Sequence, residues 1–457
     1  MIVGVRDKWF FRNASGHPLI TIVVVGLAIR AVLSFLLTYT YDTSFWGTVM
    51  ENIQSGSGLY DLPGYYYTPV WGYIMSTVGL IMSYVFGIDV FGVQADGLVM
   101  SQAAAWEYYS ELVTTVEFNL VFKGLFTLID LATSYILYLI VMEYTGDSRK
   151  AAMAFGMWFL CPIVIYTACV HTMFDGIPVL IMLITVYLLM KGMYFPAGLA
   201  FCMAALTKFF PAYLIFLFVG YIICRHHGRP NECVRGVLQA VAGAAVMFLI
   251  IYIPEILNGT VAESLSFIFN RVDSISAGVS SGGVWDALTS AGYTLVLVLQ
   301  PVIIALEIYI GYRMARYRGP DADRTFLMYG MFSATCVFLW TPAPTYLLII
   351  IPFIVCHIVL SDHSYRYSYL LLAVAPMLYS LVMENYTILC QADLFLNLVS
   401  DSTILSGIAW MDSVNALGIT NQTLLNTVFG ALETIAIYSI FATMYINHRR
   451  GSNATPC

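Results

Sequence analysis

The sequence predicts an all-α, polytopic membrane protein with about twelve transmembrane helices. Three observations carry that prediction. Of 457 residues, 60% are hydrophobic and only 10% charged, with a mean hydropathy of +0.80. Soluble domains sit near half apolar and a quarter charged. The apolar residues fall into runs of about 20, the length that crosses a bilayer. The basic residues collect in short loops, as they do on the cytoplasmic side. A soluble enzyme, a disordered chain and a soluble domain on one anchor are thereby excluded. The net charge of −7 argues against a nucleic-acid binder. The nine cysteines form no C-x-x-C pair, so neither a disulfide framework nor a zinc site is indicated.

The first apolar run, Pro18 to Tyr39, follows Arg6, Lys8 and Arg12. It is too long for a signal peptide and lacks a small-residue cleavage pattern, so it reads as an uncleaved span. Further spans are expected at 119–142, 151–170, 176–190, 234–253, 292–312, 324–340, 344–360, 367–384 and 425–447. The stretch 194–224 is broken at Thr207-Lys-Phe-Phe-Pro211. Proline removes a donor and clashes with the preceding turn, so two short helices should meet there as a broken hairpin.

The run from Val70 to Gly87 decides the topology. If it lies in the interface, 16 of the 20 Lys and Arg residues fall in cytoplasmic loops. If it crosses, every later segment inverts and 13 of those 16 move outside. The interfacial reading therefore holds, with in-plane helices in a long first external loop, 41–118. Both termini are cytoplasmic, and the other large external segments are 254–291 and 385–424. Long ordered loops usually carry function, so the working face is expected to be extracytoplasmic.

Four cations stand outside the cytoplasmic set: Arg30, Lys123, Lys208 and Arg271. Charges at membrane depth are functional candidates by default. Arg30 and Asp130 lie at similar depth on antiparallel helices and read as a structural ion pair, with catalysis as the alternative. Lys123 is either a snorkelling lysine or a ligand group. Lys208 sits in the broken turn, where irregular backbone normally lines a cavity. Arg271 either binds an anion or pairs locally with Asp273.

Asp42 directly follows the first span, in Tyr41-Asp42-Thr43-Ser44-Phe45-Trp46. A carboxylate at the membrane surface suits general-base work on a sugar or lipid hydroxyl; the plainer reading is a solvated interfacial Asp. Trp46, Tyr66 and Tyr67 offer faces for sugar rings or, alternatively, anchor the chain at the bilayer edge. His171 and Asp175, at the outer end of span 151–170, form an i,i+4 pair that falls short of a metal site. No metal ligand set and no cofactor motif is found.

The order of these features resembles the C-type (GT-C) integral-membrane glycosyltransferases. Asp42, Gly58-Leu-Tyr60 and Tyr65-Tyr-Tyr-Thr-Pro69 look like their polyprenyl-phosphate-mannose-dependent branch. Lys123-Gly-Leu-Phe-Thr-Leu-Ile-Asp130 is similar to the second span of that family. Phe174-Asp175-Gly, Lys208-Phe-Phe-Pro211 and Trp340-Thr-Pro-Ala-Pro344 follow in the expected order. One transmembrane domain is expected over 1–457, with a family-type module at 18–360 and additional helices at 361–457.

The resemblance implies transfer of a hexose, mannose first, from a polyprenyl- or dolichyl-phosphate sugar to a lipid-linked or glycan acceptor. Asp42 would be the general base, and the reaction would invert the anomeric carbon. Lys208, Arg271 and Lys123 would bind the donor phosphate; Trp46, Tyr66, Tyr67, His171 and Asp175 would bind substrate. The implied site is extracytoplasmic, in a cell membrane or, in a eukaryote, the endoplasmic reticulum. Asp42 has no acidic neighbour at 40, 41, 43 or 44, where some branches carry a second carboxylate. The rival is a secondary transporter or lipid flippase, which twelve helices, a broken helix and intramembrane charge also fit. A binding or assembly factor that kept the fold and lost activity is the third reading.

Overall fold

The computed structural model describes residues 18–61, 65, 67–88, 90, 93–95, 112–265, 284–339, 344–360, 365–394 and 396–453. The N-terminal part is α1 (Pro18–Leu36), α2 (Thr40–Gln54), α3 (Pro69–Phe86), β1 (Val93–Ala95) and β2 (Leu112–Thr114). Next come α4 (Val116–Thr145), α5 (Ser148–Phe159), α6 (Pro162–Cys169), α7 (Gly176–Met190), α8 (Tyr194–Thr207), α9 (Ile215–Arg225) and α10 (Pro230–Asn258). The remainder is α11 (Val284–Arg316), α12 (Ala322–Cys336), α13 (Ile350–Leu360), α14 (Arg366–Glu384), α15 (Cys390–Leu394), α16 (Asp401–Asp412) and α17 (Asn421–Asn453). The only strands among the described residues are the short antiparallel pair β1–β2.

Local chemistry sets the helix ends. The Thr115 side chain accepts from the Phe118 N–H and starts α4. Gly146 ends α4 with φ +63, and Asp147 caps the next helix by accepting from the N–H groups of Arg149 and Lys150. The tight turn between α4 and α5 follows from those two residues. Pro162 opens α6 after a 47° bend from α5, and the two helices form one bent apolar pair. The broken stretch reads as expected: α8 stops at Thr207, Lys208 is extended (φ −147, ψ 145), and the 3₁₀ turn Phe210–Leu214 leads into α9. Small residues let helices touch. A Cβ on Gly198 would collide with the Ala240 carbonyl, and one on Gly220 with the Gly311 carbonyl.

Contacts between helix ends fix an alternating course. Lys123, near the start of α4, binds the end of α1 at Ser34 and Leu37. Tyr144, at the other end of α4, meets Asp321 at the start of α12. Tyr194 meets His226, so α8 starts where α9 ends. The Thr38 N–H donates to the Ile388 carbonyl just beyond α14, and Gln422, opening α17, reaches the Val382 carbonyl. One end of the bundle thus carries residues 36–40, 170–175, 208 and 384. The opposite end carries the basic loops, the start of α1 and the finish of α17.

Each of the twelve expected spans is a helix or a bent helix pair, although α12 stops at Cys336, short of 340. Among the described residues, six helices are long and apolar enough to cross, or seven with the α5–α6 pair. The helix α3 is among those six by length and composition. Chain geometry keeps it from crossing. Its start is tied to the site end of the bundle, Thr68 bonding to the Leu206 carbonyl and Tyr73 to Glu255 at 2.5 Å. Its sequel returns to the same end, where Val93 pairs with Thr114 beside the cap of α4. The connection from Gly87 to Val93 reaches at most about 21 Å. An upright α3 would descend about 27 Å. The helix therefore runs along the surface, with Tyr84, Val85 and Phe86 exposed.

Single cysteines in a background without accessible thiols test this course. Ser57→Cys and Ile88→Cys should react with a membrane-impermeant reagent from one side, and Ser148→Cys from the other. Reaction of Ile88→Cys from the Ser148 side would mean that α3 crosses.

Candidate functional site

After α1 ends, Leu37–Tyr39 forms a short linker. The Thr38 N–H donates to Ile388 and the Tyr39 N–H to Val170, so the linker is pinned between α6 and the end of α14. Helix α2 then starts at Thr40 and places Asp42 in its first turn, where a carboxylate faces the positive end of the helix. The turn after α6 holds Thr172 at φ +60, a rare conformation for a β-branched residue. That turn sends His171 and Asp175 to different partners. The expected His171/Asp175 pair does not form, because the segment between them is not helical.

His171 lies between two carboxylates. Its Nε2 is 2.6 Å from Asp42 Oδ2, and its Nδ1 is 2.7 Å from Glu384 Oε1. The second contact is an ion contact off the angle of a hydrogen bond. Tyr166 donates to the other oxygen of Glu384 at 2.6 Å, and the Tyr39 ring packs edge-on against the imidazole at 5.2 Å. Burial alone would lower the His171 pKa. Glu384 and Asp42 outweigh it and push it up to about 10. The imidazole is therefore a cation near neutral pH. It holds Asp42 through Oδ2. The side chains of Asp42 and His171 are 21% and 15% exposed, whereas Glu384 is 3% exposed. Sequence reasoning missed Glu384; the signal was an acid closing an apolar span at Met383-Glu384-Asn385.

Lys208 pairs with Asp175 at 2.7 Å, both buried. The ammonium lies 4.6 Å from the Phe174 ring centre and 4.4 Å from that of Tyr346, with Tyr67 at 5.9 Å. Trp71 stacks on Phe174 at 4.6 Å, and Trp46 sets its edge against both. Trp46 and Tyr67, expected to offer open faces to a sugar, are instead buried against these rings. Lys208, expected to meet a donor phosphate, already has its counter-ion.

Lys123 departs further from a ligand role. It is fully buried, and its ammonium donates to the Ser34 carbonyl at 3.1 Å, the Leu37 carbonyl at 2.5 Å and the Thr38 hydroxyl. Its three donors are spent on the carbonyls that α1 leaves free at its C-terminus. Gln391 and Asn119 join Thr38 in the same polar layer. Arg30 Nη2 sits 3.0 Å from Asp130, and Nη1 donates to the Phe159 carbonyl at 2.6 Å. Its guanidinium also covers the Phe159 ring at 4.1 Å. Tyr66 and Arg271 lie outside the described residues. Among the described residues, no group of three or more His, Cys, Asp or Glu is placed to hold a metal ion.

Residues 92–277 match the family described as PIG-U, GPI transamidase subunit PIG-U. The matched region includes Lys123, Asp130, His171, Asp175 and Lys208 but neither Asp42 nor Glu384. No curated protein matches the chain. Among solved structures, ArnT from Cupriavidus metallidurans in the apo state matches at 15% identity. That match covers 93% of this chain and 75% of the other, with a TM-score of 0.41, a loose overall likeness. The family match is consistent with the GT-C superfamily resemblance of the sequence.

Two stability measurements test the charge pairing. Arg30→Ala or Asp130→Ala leaves a buried charge unpaired, a loss of about 3–5 kcal/mol, and the double mutant should recover part of it. Strictly additive losses would mean the two do not interact. His171 gains its proton partners on folding, its pKa rising from 6.5 to about 10. Its stabilisation is thus full below about pH 6.5 and lost as pH rises through about 10. The Tm gap in detergent between the wild type and His171→Gln should shrink over that window. A gap that is constant with pH would show that His171 does not carry the charge.

Proposed function

We propose that the chain recognises a glycolipid at the site end of its bundle, as a non-catalytic subunit of a GPI-transamidase-type assembly. One observation carries this reading. Among the described residues, each Lys and Arg at that end is already engaged, Lys123 by carbonyls and Lys208 by Asp175. A sugar-phosphate donor needs cations free to take up the charge of its leaving phosphate. A subunit that binds a finished glycolipid needs no such group. The PIG-U match over 92–277 supports the same reading. The partners would be the glycolipid, membrane lipids and the other subunits. With the basic loops cytoplasmic, both termini face the cytoplasm and the site faces away from it.

The position of Asp42 favours a second reading, the glycosyltransferase that the sequence suggested. The Asp42 side chain is partly exposed, in the first turn of α2. There it would accept the proton of an acceptor hydroxyl as that oxygen attacks the anomeric carbon of a polyprenyl-phosphate hexose, mannose first. Direct displacement would invert the configuration. Arg271, outside the described residues, would be the cation for the phosphate, with Lys208 only if its bond to Asp175 opened.

Purified protein in lipid nanodiscs decides between the two. It is incubated with a panel of polyprenyl-phosphate hexoses and a lipid acceptor fraction, then separately with synthetic glycosylphosphatidylinositol. The first reading expects retention of the glycosylphosphatidylinositol and no new hexosylated lipid by mass spectrometry. Hexose transfer would overturn it. In that case Asp42→Asn should cut transfer by at least about a hundredfold, since general-base help is worth about 10²–10⁴.

A further inference from the structure

Glu384 comes from the far end of the chain, yet it completes the surroundings of His171. The titratable groups facing this imidazole are Asp42 from α2, Tyr39 from the linker and Glu384 from the end of α14, with Tyr41 beside Tyr39 and Asp42. Tyr166 from α6 acts through Glu384. Of these, Asp42 and Glu384 are the carboxyl groups in ion contact with the imidazole.

We propose that Glu384 is a positioning residue for Asp42, acting through His171. Burial favours a neutral imidazole, and one partly exposed carboxylate is a weak counterweight to it. Glu384 adds a second, nearly inaccessible carboxylate 2.7 Å from Nδ1. The imidazolium so maintained holds Asp42 Oδ2 at 2.6 Å and leaves Oδ1 to the ligand. The Tyr166 hydroxyl, 2.6 Å from Glu384 Oε2, selects the oxygen that reaches His171. The device has a direct consequence for binding. A neutral imidazole would release Asp42, and the hydroxyl-accepting oxygen would lose its fixed place. The assignment rests on the glycolipid reading for what Asp42 touches, but the chain of contacts from Glu384 to Asp42 stands apart from it.

The test uses the full-length chain in detergent micelles with isotope-labelled histidine. The His171 resonances are identified by their loss in His171→Gln and followed from pH 5 to pH 10. The wild type should show no His171 titration below about pH 9. In Glu384→Gln, titration should fall by about two pH units or more, towards the ordinary 6.5, and Glu384→Asp should restore most of the shift. Tyr166→Phe leaves the carboxylate in place and should give a smaller downward shift; it serves if Glu384→Gln does not fold.

Binding of a fluorescent glycosylphosphatidylinositol is measured in parallel. It should be level from pH 6 to pH 8.5 in the wild type and weaken about tenfold over that range in Glu384→Gln, one pKa unit of free energy. An unchanged His171 titration in Glu384→Gln and Tyr166→Phe overturns the proposal. Equal loss of binding at every pH overturns it too, because Glu384 would then be only structural. If the titration moves as expected but the wild type binds no probe, the glycolipid reading fails and the place of Glu384 remains.

Discussion

The imidazolium of His171, set between Asp42 and Glu384, holds three distant parts of the chain at one point. Asp42 lies in the first turn of α2, His171 in the turn after α6, and Glu384 ends α14. A carboxylate buried without a counter-charge is unfavourable enough to take up a proton or drive the structure apart. The cation therefore sets where α2 can sit, and with it the entry to the surface segment that follows. Backbone bonds from Thr38 to Ile388 and from Tyr39 to Val170 reinforce the same junction.

The same constraint recurs through the bundle. Arg30 meets Asp130, Lys208 meets Asp175, and Lys123 caps the open carbonyls of α1. Each of these three cations is matched within the chain by an element distant in sequence. These pairs act as fasteners between helices whose lipid-facing surfaces have no hydrophobic reason to associate. Pairing also has a functional side. In the proposed reading, a cation already matched is not free to greet a phosphate, and the interactions that hold this end together set it apart from a sugar-transfer site.

The aromatic groups divide in a similar way. Trp46, Tyr67, Trp71 and Phe174 form a packed cluster around the Lys208–Asp175 pair. What stays open is the small polar face of Asp42 and His171 beside Tyr41. In the proposed reading, recognition of a glycolipid rests on that face, while the rings behind it supply rigidity.

Much of the architecture was legible in the residues themselves. Hydropathy runs marked the spans, proline and the Lys208 turn marked the break, and basic-residue counts placed α3 on the surface, because lipid and water impose those patterns on local sequence. Arg30 and Asp130 were also readable as a pair, since each lies in a regular helix and depth follows from residue count. His171, Asp175 and Glu384 were not. An i,i+4 spacing suggests a shared face only if the segment is helical, and the turn at Thr172 makes it otherwise. Glu384 stands 213 positions beyond His171, and no local pattern links them. Sequence alone marked the apolar helical segments and the charges that needed explaining. Which charge meets which was decided only by tertiary structure, because ion pairing acts over a few ångströms in space and is blind to separation along the chain.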